Sequence, residues 1–469
     1  MTRDPDRVYE PVIGLEIHVQ LSTRTKMFCG CALSFGEEPN TRTCPICLGH
    51  PGVLPVINAE AVHYALMIGM ALECEIADRS IFHRKQYFYP DNPKAYQISQ
   101  YDVPICGAGR LDDVRIHRAH LEEDAAKLVH AGASGRIHSA EHSTVDFNRA
   151  GTPLVEIVTE PDLHDPKAAG EWLRLLRATL KRLGVSDVNM EEGSLRCDAN
   201  VSLRHAGSAT LGTKTELKNM NSFRFLERGI EAELKRQEAI LRDGGEVEQE
   251  TLHFDPQSGT LSSLRSKEEA HDYRYFPEPD LVAVAPTQEM LDRAREALPE
   301  LPAARAGRFE SELGLPADTA KLLAFRSDLG DLYEEALSAD GVDPKTLANW
   351  VTQESAAADV EPAALAKLVV MVSEKTVSAA AARQVLGVLA AEGGDPAAIV
   401  EQQGLGAQGA DELGEIVDKA IAENADAVEK IKAGKGQAIG AIVGAVMKET
   451  KGRADGGEVQ KLIREKLSL

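Results

Sequence analysis

The sequence predicts an α+β N-terminal region built on an antiparallel sheet, followed by an all-α region and a small all-α tail. Two observations predict this class. Within residues 8–284, several segments alternate apolar and polar residues with period two, the pattern of strands that bury one face. After Pro286 the chain becomes rich in Ala, Leu and Glu with helical spacing and proline-containing turns. We predict four segments: an α+β domain at 1–287, a helical domain at 288–403, a linker at 404–409 and a helical tail domain at 410–469.

Composition excludes some classes of protein. Of 469 residues, 43% are hydrophobic, which is enough apolar surface to exclude a mainly disordered chain. The formal net charge of −22 argues against a protein that coats nucleic acid without specificity, because such binding needs a basic surface. The first residues contain no apolar segment typical of a signal peptide, and residues 438–447 are too few to cross a bilayer. We therefore expect a cytoplasmic protein without a membrane anchor.

Two strands and two helices have clear patterns in the first region. In residues 15–21, Glu16, His18 and Gln20 share one face of the predicted strand, and the residues between them are apolar. In residues 194–204, the polar face contains Arg196, Asp198 and Asn200. Residues 166–183 and 222–242 have the apolar spacing of amphipathic helices.

In the second region, turn residues mark the helix starts. Asp343-Pro344 and Glu361-Pro362 are typical pairs of N-cap and first helical residue. Residues 404–409 match G-x-G-x-x-G, but no strand precedes them and both flanks are helical, so the pattern predicts a linker and not a dinucleotide site. Tail helices are predicted at 416–421, 426–432, 439–449 and 459–467. The sequence contains no P-loop motif.

Four cysteines form a cluster: Cys29 and Cys31, then Cys44 and Cys47. C-x-C followed by C-x₂-C places two pairs of thiolates on two tight turns, which suits one tetrahedral Zn²⁺ ion. Because four thiolates leave no open coordination position, such a zinc would be structural. The alternative is four unligated thiols, with Cys44 and Cys47 as a redox pair. The remaining three cysteines are expected in the core.

Acidic residues on predicted strands suggest a second cation site. Glu16 and His18 share a strand face, and Glu122, Glu123 and Asp124 follow an alternating segment. Glu156 lies in the apolar segment 152–158, where an isolated carboxylate is costly unless it is paired or metal-bound. Glu216 lies in a similar short segment. Carboxylates on neighbouring strands can hold Mg²⁺, although each of them alone could equally be a solvated or salt-bridged acid.

Six longer motifs are more specific, and two of them are loops dense in aromatic residues and prolines. The motifs occupy residues 13–20, 87–100, 148–158, 190–200, 216–223 and 272–280. Together they resemble the B subunit of the bacterial tRNA-dependent amidotransferases, and the resemblance extends over essentially the whole chain.

This resemblance implies an ATP-dependent activity in protein biosynthesis. Members of the family are glutamine-hydrolysing carbon–nitrogen ligases that act on Glu-tRNA(Gln), Asp-tRNA(Asn) or both. The side-chain carboxylate of the misacylated amino acid is phosphorylated, and ammonia then displaces phosphate. The ammonia comes from the A subunit, an amidase, and a small C subunit completes the heterotrimer. The resemblance also implies a glutamine-synthetase-like, cradle-shaped catalytic domain and a tail that contacts tRNA.

The resemblance further implies roles for individual residues. The catalytic Mg²⁺ ligands of the family correspond to Glu16, His18, Glu123 and Glu156. Glu216 is a further candidate, and Arg196 and Asp198 are candidates for cofactor binding together with it. Lys85 and Lys94 correspond to polar positions associated with the passage of ammonia. Some members of the family lack the cysteines, so zinc would support the scaffold and not the reaction.

Two other classes of function share part of these features. A small-molecule ligase of the glutamine-synthetase type would have the acidic strands but would not need the tail. A zinc-stabilised RNA-binding scaffold would not need Glu156 within an apolar strand. In the tail, nine basic and four acidic residues follow position 429, a local charge of +5. We expect contact with tRNA there through Lys432, Lys435, Lys448, Lys451 and Arg453, the alternative being a solvated helical appendage.

Overall fold

The protein is described by a computed structural model. It describes residues 8–33, 35–131, 141–218, 220–266, 273–407, 409–432, 436–450 and 453–467. The chain divides into two compact units, Met1–Pro302 and Ala303–Leu469. Asn219 and Asp272 of the motifs, and Lys435 and Lys451 of the tail, lie outside the described residues.

The first unit combines strands and helices. Its strands are β1 (Tyr9–Gln20), β2 (His83–Gln86), β3 (Tyr96–Ser99), β4 (Gly109–Leu111), β5 (Val114–Glu123), β6 (Lys127–Ala131), β7 (His142–Asp146), β8 (Pro153–Thr159), β9 (Leu195–His205), β10 (Thr215–Lys218), β11 (Glu250–Asp255), β12 (Thr260–Ser266) and β13 (Phe276–Pro277). Its helices are α1 (Ala59–Ala71), α2 (Pro166–Leu183), α3 (Phe223–Arg242) and α4 (Gln288–Glu296).

An eight-stranded sheet forms the centre of this unit, in the order β12-β11-β10-β9-β1-β8-β5-β4. Neighbouring strands are antiparallel except for β10 and β11, which are parallel. The sequence predicts an antiparallel sheet, and this one pair differs because α3 lies between the two strands. A helical crossover returns the chain to the end of the sheet at which β10 began. A smaller sheet, β13-β2-β3, contacts β5 through β3.

The two faces of the large sheet differ, as the period-two patterns predict. In β1, Leu15, Ile17 and Val19 are buried, whereas Glu16 and His18 are partly exposed on the opposite face. Helix α3 packs against β9, and α2 packs against α3. Asp165 caps α2 by accepting hydrogen bonds from two backbone N–H groups of its first turn, so the predicted helix begins where its cap and proline indicate.

The second unit is helical. Its helices are α5 (Pro302–Ser311), α6 (Ala317–Phe325), α7 (Ser327–Leu337), α8 (Pro344–Gln353), α9 (Pro362–Ser373), α10 (Ala379–Glu392), α11 (Pro396–Gln403), α12 (Ala410–Glu423), α13 (Ala425–Lys432), α14 (Ile439–Glu449) and α15 (Gly456–Lys466). One apolar core is built from residues between Phe309 and Leu405, and another from residues between Leu413 and Ile463. The predicted helix starts at Pro344 and Pro362 are confirmed.

Two details differ from the simplest interpretation of the sequence. Helix α4 contacts α1, so the first unit extends past the predicted boundary at residue 287. In the predicted linker, Gly404 ends α11 in the left-handed conformation, Leu405 is buried, and the Ala407 N–H donates to the Thr376 carbonyl at 2.9 Å.

No helix in the described part of the chain has the length and apolar character needed to cross a membrane.

Candidate active site

The polar face of the large sheet brings together side chains that are far apart in the sequence. His18 of β1 lies opposite Glu156 of β8 on one side and Arg196 of β9 on the other. Glu156 in turn lies opposite His120 of β5. Cross-strand partners share a face of the sheet, so these four side chains form one row.

A second set of polar residues continues this face toward β11. Glu16 lies opposite Asp198, and Glu216 lies opposite Asn200 and Thr251. The Asn200 amide donates to Glu16 at 2.9 Å, and the Thr251 hydroxyl donates to Glu216 at 2.9 Å. Six strands therefore present polar groups to one space.

That space is a cavity of about 320 Å³. Glu16, His18, Glu156, Asp198 and Glu216, all predicted site residues, line it. Aromatic residues line one side: Tyr273 and Tyr275 from the predicted loop at 272–280, and Tyr101 directly after the one at 87–100. The rings of Tyr101 and Tyr275 stack with centroids 4.3 Å apart, and Lys85 Nζ lies 4.6 Å from the ring centroid of Tyr273.

A compact group of nitrogen and oxygen atoms occupies the centre of the row. His18 Nε2 lies 3.5 Å from Glu122 Oε1 and 3.5 Å from Glu156 Oε2, and His120 Nε2 lies 3.5 Å from Glu156 Oε2. One ligand atom from each of His18, Glu122 and Glu156 lies within 4.8 Å of the others. Two carboxylates and an imidazole at this spacing can hold a divalent cation, and the carboxylates are the oxygen ligands that Mg²⁺ prefers.

The charges in this group are strongly coupled. Burial lowers the pKa of His18, but the hydrogen bond to Glu156 and the charges of Glu156 and Glu122 outweigh it and raise that pKa to about 9. Burial dominates at His120 and lowers its pKa to about 4. Burial would raise the pKa of Glu156, but His120, His18 and Lys85 hold it well below its usual value. The pKa of Glu122 is raised, by burial first and then by Glu156.

The structure brings Glu122, and not Glu123, to this group. The Glu123 carboxylate pairs with Lys94 and accepts a hydrogen bond from the backbone N–H of Ile98 at 3.0 Å. Glu122 shares a face with His120 because the two are two residues apart, and the β-bulge between Ile116 and Arg118 puts this pair, instead of Glu123, on the face of Glu156. The predicted residues Glu123 and Lys94 therefore form a buried ion pair beside the cavity.

The other predicted polar residues have partners within the site. Arg196 Nη2 donates to Asp124 Oδ2 at 2.8 Å, and Arg196 with Arg149 holds the pKa of Asp124 below its usual value despite burial. Lys218 Nζ lies 3.1 Å from Glu216 and 3.7 Å from Asp198. Burial raises the pKa of Glu16, and the charges of Glu156 and Glu216 add to the increase. These contacts hold the walls of the cavity in place.

The cysteine cluster is also brought together. The sulfur atoms of Cys29, Cys31, Cys44 and Cys47 lie within 4.8 Å of one another, and those of Cys44 and Cys47 are 3.9 Å apart. Zn–S bonds of about 2.3 Å imply sulfur–sulfur separations of roughly 3.8 Å in a tetrahedral site. The four cysteines therefore fit one Zn²⁺ ion.

The surroundings of this cluster favour a thiolate at Cys47, whereas the pKa values of Cys29 and Cys31 are raised. The Cys44 N–H donates to Cys47 Sγ at 3.2 Å, and the buried Lys26 places its Nζ 3.7 Å from the same sulfur. A hydrogen bond with Cys29 is the main reason that the pKa of Cys47 falls to about 4, and the Lys26 charge contributes. Burial raises the pKa of Cys31 to about 11, so bound zinc would have to displace its proton.

Of the five basic tail residues predicted to contact tRNA, three are described. Lys432 and Lys448 are exposed, and Arg453 donates to the Thr450 carbonyl at 3.2 Å. Other tail cations are paired: Lys466 with Asp418 at 2.6 Å and Lys461 with Glu465 at 3.9 Å. The exposed positive charge of the described tail is therefore smaller than the count of basic residues indicates.

Comparison with known proteins identifies the family. Residues 11–292 match the family model described as the GatB/GatE catalytic domain, and residues 331–467 match the GatB domain. The chain belongs to the GatB family. It is 50% identical to the B subunit of the aspartyl/glutamyl-tRNA(Asn/Gln) amidotransferase of Thermobifida fusca, over 99% of this chain and 95% of the relative. It is 47% identical to the protein of the same name from Geotalea daltonii, over 98% and 99%. The predicted resemblance to this amidotransferase family is confirmed.

Two features of this GatB site were not predicted from the sequence: the presence of His120 and the orientation of Glu122. His120 belongs to the alternating segment, and Glu122 is the first residue of the acidic run that follows it, so the polar residues Arg118, His120 and Glu122 at period two were the available signal. The sequence predicts that Asn200 lies on the polar face of its strand, as it does. Its hydrogen bond to Glu16 depends on the pairing of β1 with β9.

Proposed function

We propose that this GatB chain is the kinase and transamidation subunit that converts Glu-tRNA(Gln), Asp-tRNA(Asn) or both to the amidated aminoacyl-tRNAs. The observation that carries the proposal is the His18–Glu122–Glu156 group at the cavity, in a chain whose relatives are named for both substrates. A phosphoryl-transfer site needs a place for a divalent cation beside a space for the substrate, and this group supports one.

The proposed reaction has two steps, and in each a nucleophile displaces a leaving group. A carboxylate oxygen of the misacylated amino acid attacks the γ-phosphorus of ATP, and the bond to ADP breaks. Ammonia then adds to the carbonyl carbon of the acyl phosphate, inorganic phosphate leaves with the bonding electrons, and the nitrogen releases one proton, which the leaving phosphate can take up. Phosphorylation is required because an ionised carboxylate has no leaving group that ammonia could displace.

The side chains of this cavity have distinct proposed roles. His18, Glu156 and Glu122 would hold Mg²⁺, with Glu16 and Glu216 available at the neighbouring positions. When bound, Mg²⁺ supplies charge neutralisation for the transferred phosphoryl group. Lys218 contacts the carboxylates of Asp198 and Glu216. Arg196 contacts Asp124, and Lys218, Arg196 and Asp198 are proposed to contact the nucleotide. Lys85, which faces the cavity, and Lys94, which pairs with Glu123, are proposed to lie along the route of ammonia.

The remaining parts of the chain have supporting roles in the proposal. The first unit would be a glutamine-synthetase-like cradle, with Zn²⁺ at the four cysteines as a structural ion. The helical domain at 288–403 and the tail at 410–469 would follow it, with tRNA contacts on the tail. The partners in a cytoplasmic heterotrimer would be the A subunit, which is an amidase, and the small C subunit.

Release of ADP in the presence of misacylated tRNA tests the proposal. The purified chain with its partner subunits is incubated with ATP, Mg²⁺ and either Glu-tRNA(Gln) or Asp-tRNA(Asn), with uncharged tRNA as the control. We expect ADP formation only with a misacylated tRNA. ADP formation with free glutamate alone would indicate a small-molecule ligase, and no ADP formation with tRNA still bound would indicate an RNA-binding scaffold. Either result would contradict the proposal.

A further inference from the structure

Lys26 is a buried lysine that connects the two cysteine-containing turns, one with Cys29 and Cys31 and the other with Cys44 and Cys47. It is only 1% exposed. Its backbone N–H donates to the Cys31 carbonyl at 3.0 Å, so its main chain belongs to the first turn. Its ammonium nitrogen Nζ lies 3.7 Å from Cys47 Sγ in the second turn. One residue therefore contacts both pairs of cysteines.

The partners of this ammonium distinguish Lys26 from the nearby Lys94. Within the described part of the chain, Lys26 Nζ donates to the Phe147 carbonyl at 3.1 Å and to Cys47 Sγ at 3.7 Å. Of these two acceptors, only the sulfur can carry a negative charge. Lys94 lines the same cavity as Lys26, but its charge is balanced by Glu123. The positive charge of Lys26 therefore faces the cysteine cluster.

The surrounding chain fixes the position of the Lys26 side chain. Gly151 has a φ of +85°, and a Cβ atom added there would lie 3.4 Å from Lys26 Cδ and 3.7 Å from Cys47 Cβ. The Gly151 carbonyl accepts a hydrogen bond from the Met27 N–H at 2.7 Å, and the Asn58 amide donates to the Lys26 carbonyl at 3.2 Å. Because packing already holds the lysine beside Cys47, its charge acts on the cluster without the cost of ordering a mobile side chain.

A buried zinc site made of four thiolates needs a positive charge or hydrogen-bond donors beside it. Zn²⁺ with four thiolates is a dianion. Cys47 is buried, so water is largely excluded from its sulfur, and a buried anion is costly unless it is paired. The Cys44 N–H, 3.2 Å from Cys47 Sγ, provides a donor, and Lys26 provides both a donor and a charge.

We propose that Lys26 is the counter-cation of the zinc–thiolate cluster and sets its affinity for zinc. This inference rests on the zinc site of the proposed function, and it assigns to that site a residue outside the four ligands. Lys26 balances part of the negative charge that four thiolates bring together, so it stabilises the zinc-loaded form more than the zinc-free form. Residues that contact metal ligands in this way change metal affinity by about 10- to 100-fold.

The zinc affinity of Lys26→Met tests the inference. Methionine has a similar length and fills the same path, but it has neither a charge nor an N–H donor. Competition with a chromophoric chelator measures the Kd for Zn²⁺ in the full-length chain under reducing conditions. We expect the Kd to rise by about tenfold or more in Lys26→Met.

Lys167→Met is the matched control for the loss of one positive charge. Lys167 is 79% exposed on α2, where its charge pairs with Glu171 and not with a cysteine. We expect the Kd for Zn²⁺ to change by less than about twofold in this variant. An equal rise in Lys26→Met and Lys167→Met would show an effect of net charge alone and would overturn the inference.

Urea unfolding with and without zinc separates a charge effect from a purely structural one. If Lys26 only fills space, Lys26→Met will lower the free energy of unfolding equally in the zinc-loaded and zinc-free chains, which would contradict the inference. If Lys26 balances the cluster charge, the zinc-loaded chain will lose more, by about 1.4 kcal/mol for a tenfold change in Kd. The absorption spectrum of the Co²⁺-loaded variant should match that of the native chain, because the four cysteine ligands are unchanged.

The same measurements separate this inference from the proposed function. If the native chain binds zinc and Lys26→Met binds it equally tightly, only the inference is wrong. If the native chain binds no zinc, the structural zinc of the proposed function and the inference both fail. ADP formation with misacylated tRNA is measured independently on the native complex, so failure of the kinase assignment leaves the zinc comparison decisive for Lys26.

Discussion

The pKa values of two histidines in one row of the sheet are shifted in opposite directions because their surroundings differ. His18 lies between two carboxylates with its side chain 24% exposed, and its pKa is raised to about 9. His120 faces the same carboxylates from a position that is almost fully buried, and its pKa is lowered to about 4. At neutral pH without a bound cation, protonated His18 therefore balances part of the charge of Glu156.

Removing one carboxylate charge from the central group should stop the proposed reaction. In Glu156→Gln the amide keeps the shape of the side chain but loses the negative charge that would hold Mg²⁺. We expect tRNA-dependent ADP formation to fall by at least about a hundredfold in Glu156→Gln, and similarly in His18→Ala. Hydrolysis of glutamine by the amidase partner should continue, and it serves as the control for assembly. Near-normal ADP formation by Glu156→Gln at saturating Mg²⁺ would contradict the assignment.

The neighbouring residues Glu122 and Glu123 should respond differently to the same substitution. Glu122→Gln removes a charge that faces His18, so the Mg²⁺ concentration required for half-maximal ADP formation should rise. Glu123→Gln leaves Lys94 without its charged partner in a buried position, which should lower the free energy of unfolding by about 3 kcal/mol. Urea unfolding and Mg²⁺ titration of both variants measure the two effects. The reverse pattern would show that Glu123, as predicted from the sequence, is the cation ligand.

At the scale of single elements, the two cysteine-containing turns depend on each other. Lys26 links the cysteine cluster to the turn at Phe147. Its ammonium donates to the Phe147 carbonyl at 3.1 Å and lies 3.7 Å from Cys47 Sγ. A structural zinc would join residues 29–31 to residues 44–47 and so restrict the loop between them, whose described residues (32–33 and 35–43) contain only turns, bends and a single β-bridge at Ala32.

We predict one tightly bound zinc per chain at Cys29, Cys31, Cys44 and Cys47. Elemental analysis of protein purified without chelator measures the ratio directly, and a ratio near zero would favour the alternative of free thiols. Cys44→Ser should lower the melting temperature while the rate of ADP formation per folded molecule stays close to native, because a closed site has no open coordination position. Cys74→Ser, outside the cluster, is the matched control and should retain zinc.

Helix α3 is joined to the sheet by a buried polar network. Glu233 is fully buried and accepts hydrogen bonds from the Thr215 hydroxyl at 2.8 Å and from the Gln237 amide at 2.7 Å. Its other contact is an ion pair with Arg236 at 2.7 Å. Thr215 precedes Glu216, so this network also supports the strand that lines the cavity.

Glu233→Ala should therefore destabilise the protein by about 3 kcal/mol or more, since it leaves several buried donors without an acceptor. Glu231→Ala is the matched control: its carboxylate pairs with Lys235 on the exposed side of the same helix, and its loss should cost less than about 0.5 kcal/mol. Urea unfolding followed by circular dichroism measures both. Equal effects would mean that the network contributes no more than a surface ion pair.

At the scale of the whole molecule, charge is distributed unevenly. The chain has a formal net charge of −22, while the stretch from Lys430 onward has nine basic and four acidic residues. Long-range repulsion would disfavour tRNA over most of an acidic surface, so a basic tail gives the polyanion a favourable place to bind.

Deletion of the residues after Gly409 should weaken tRNA binding and reduce its dependence on salt. With fewer phosphate contacts, fewer counterions are released on binding, so the slope of log K against log salt concentration should become less steep by about two to four. Binding of the same tRNA to the full-length chain and to the truncation, across a salt titration, measures this. Equal affinity at every salt concentration would show that the basic residues of the tail are only solvated.

The amino-acid sequence by itself determined much of this protein. Period-two and helical spacing predicted which face of β1 and β9 is polar, where α2 and α3 lie, and which helices form the tail. The spacing of the cysteines predicted a cluster, and the long motifs predicted the family. Each of these features depends on residues that are close together in the sequence. A local pattern is therefore sufficient to predict it, without knowledge of the tertiary contacts.

Only the tertiary structure decided which polar residues meet. Glu16, Glu156 and Glu216 are more than fifty residues apart in sequence, and they share a cavity because β1 lies between β9 and β8, with β10 next to β9. An unbroken period two from Val114 and Ile116 would place Glu123 on the polar face. The bulge after Ile116 reverses that alternation, so His120 and Glu122 lie on the face of His18 and Glu156 instead. The order and register of the strands depend on long-range pairing, which no single strand specifies.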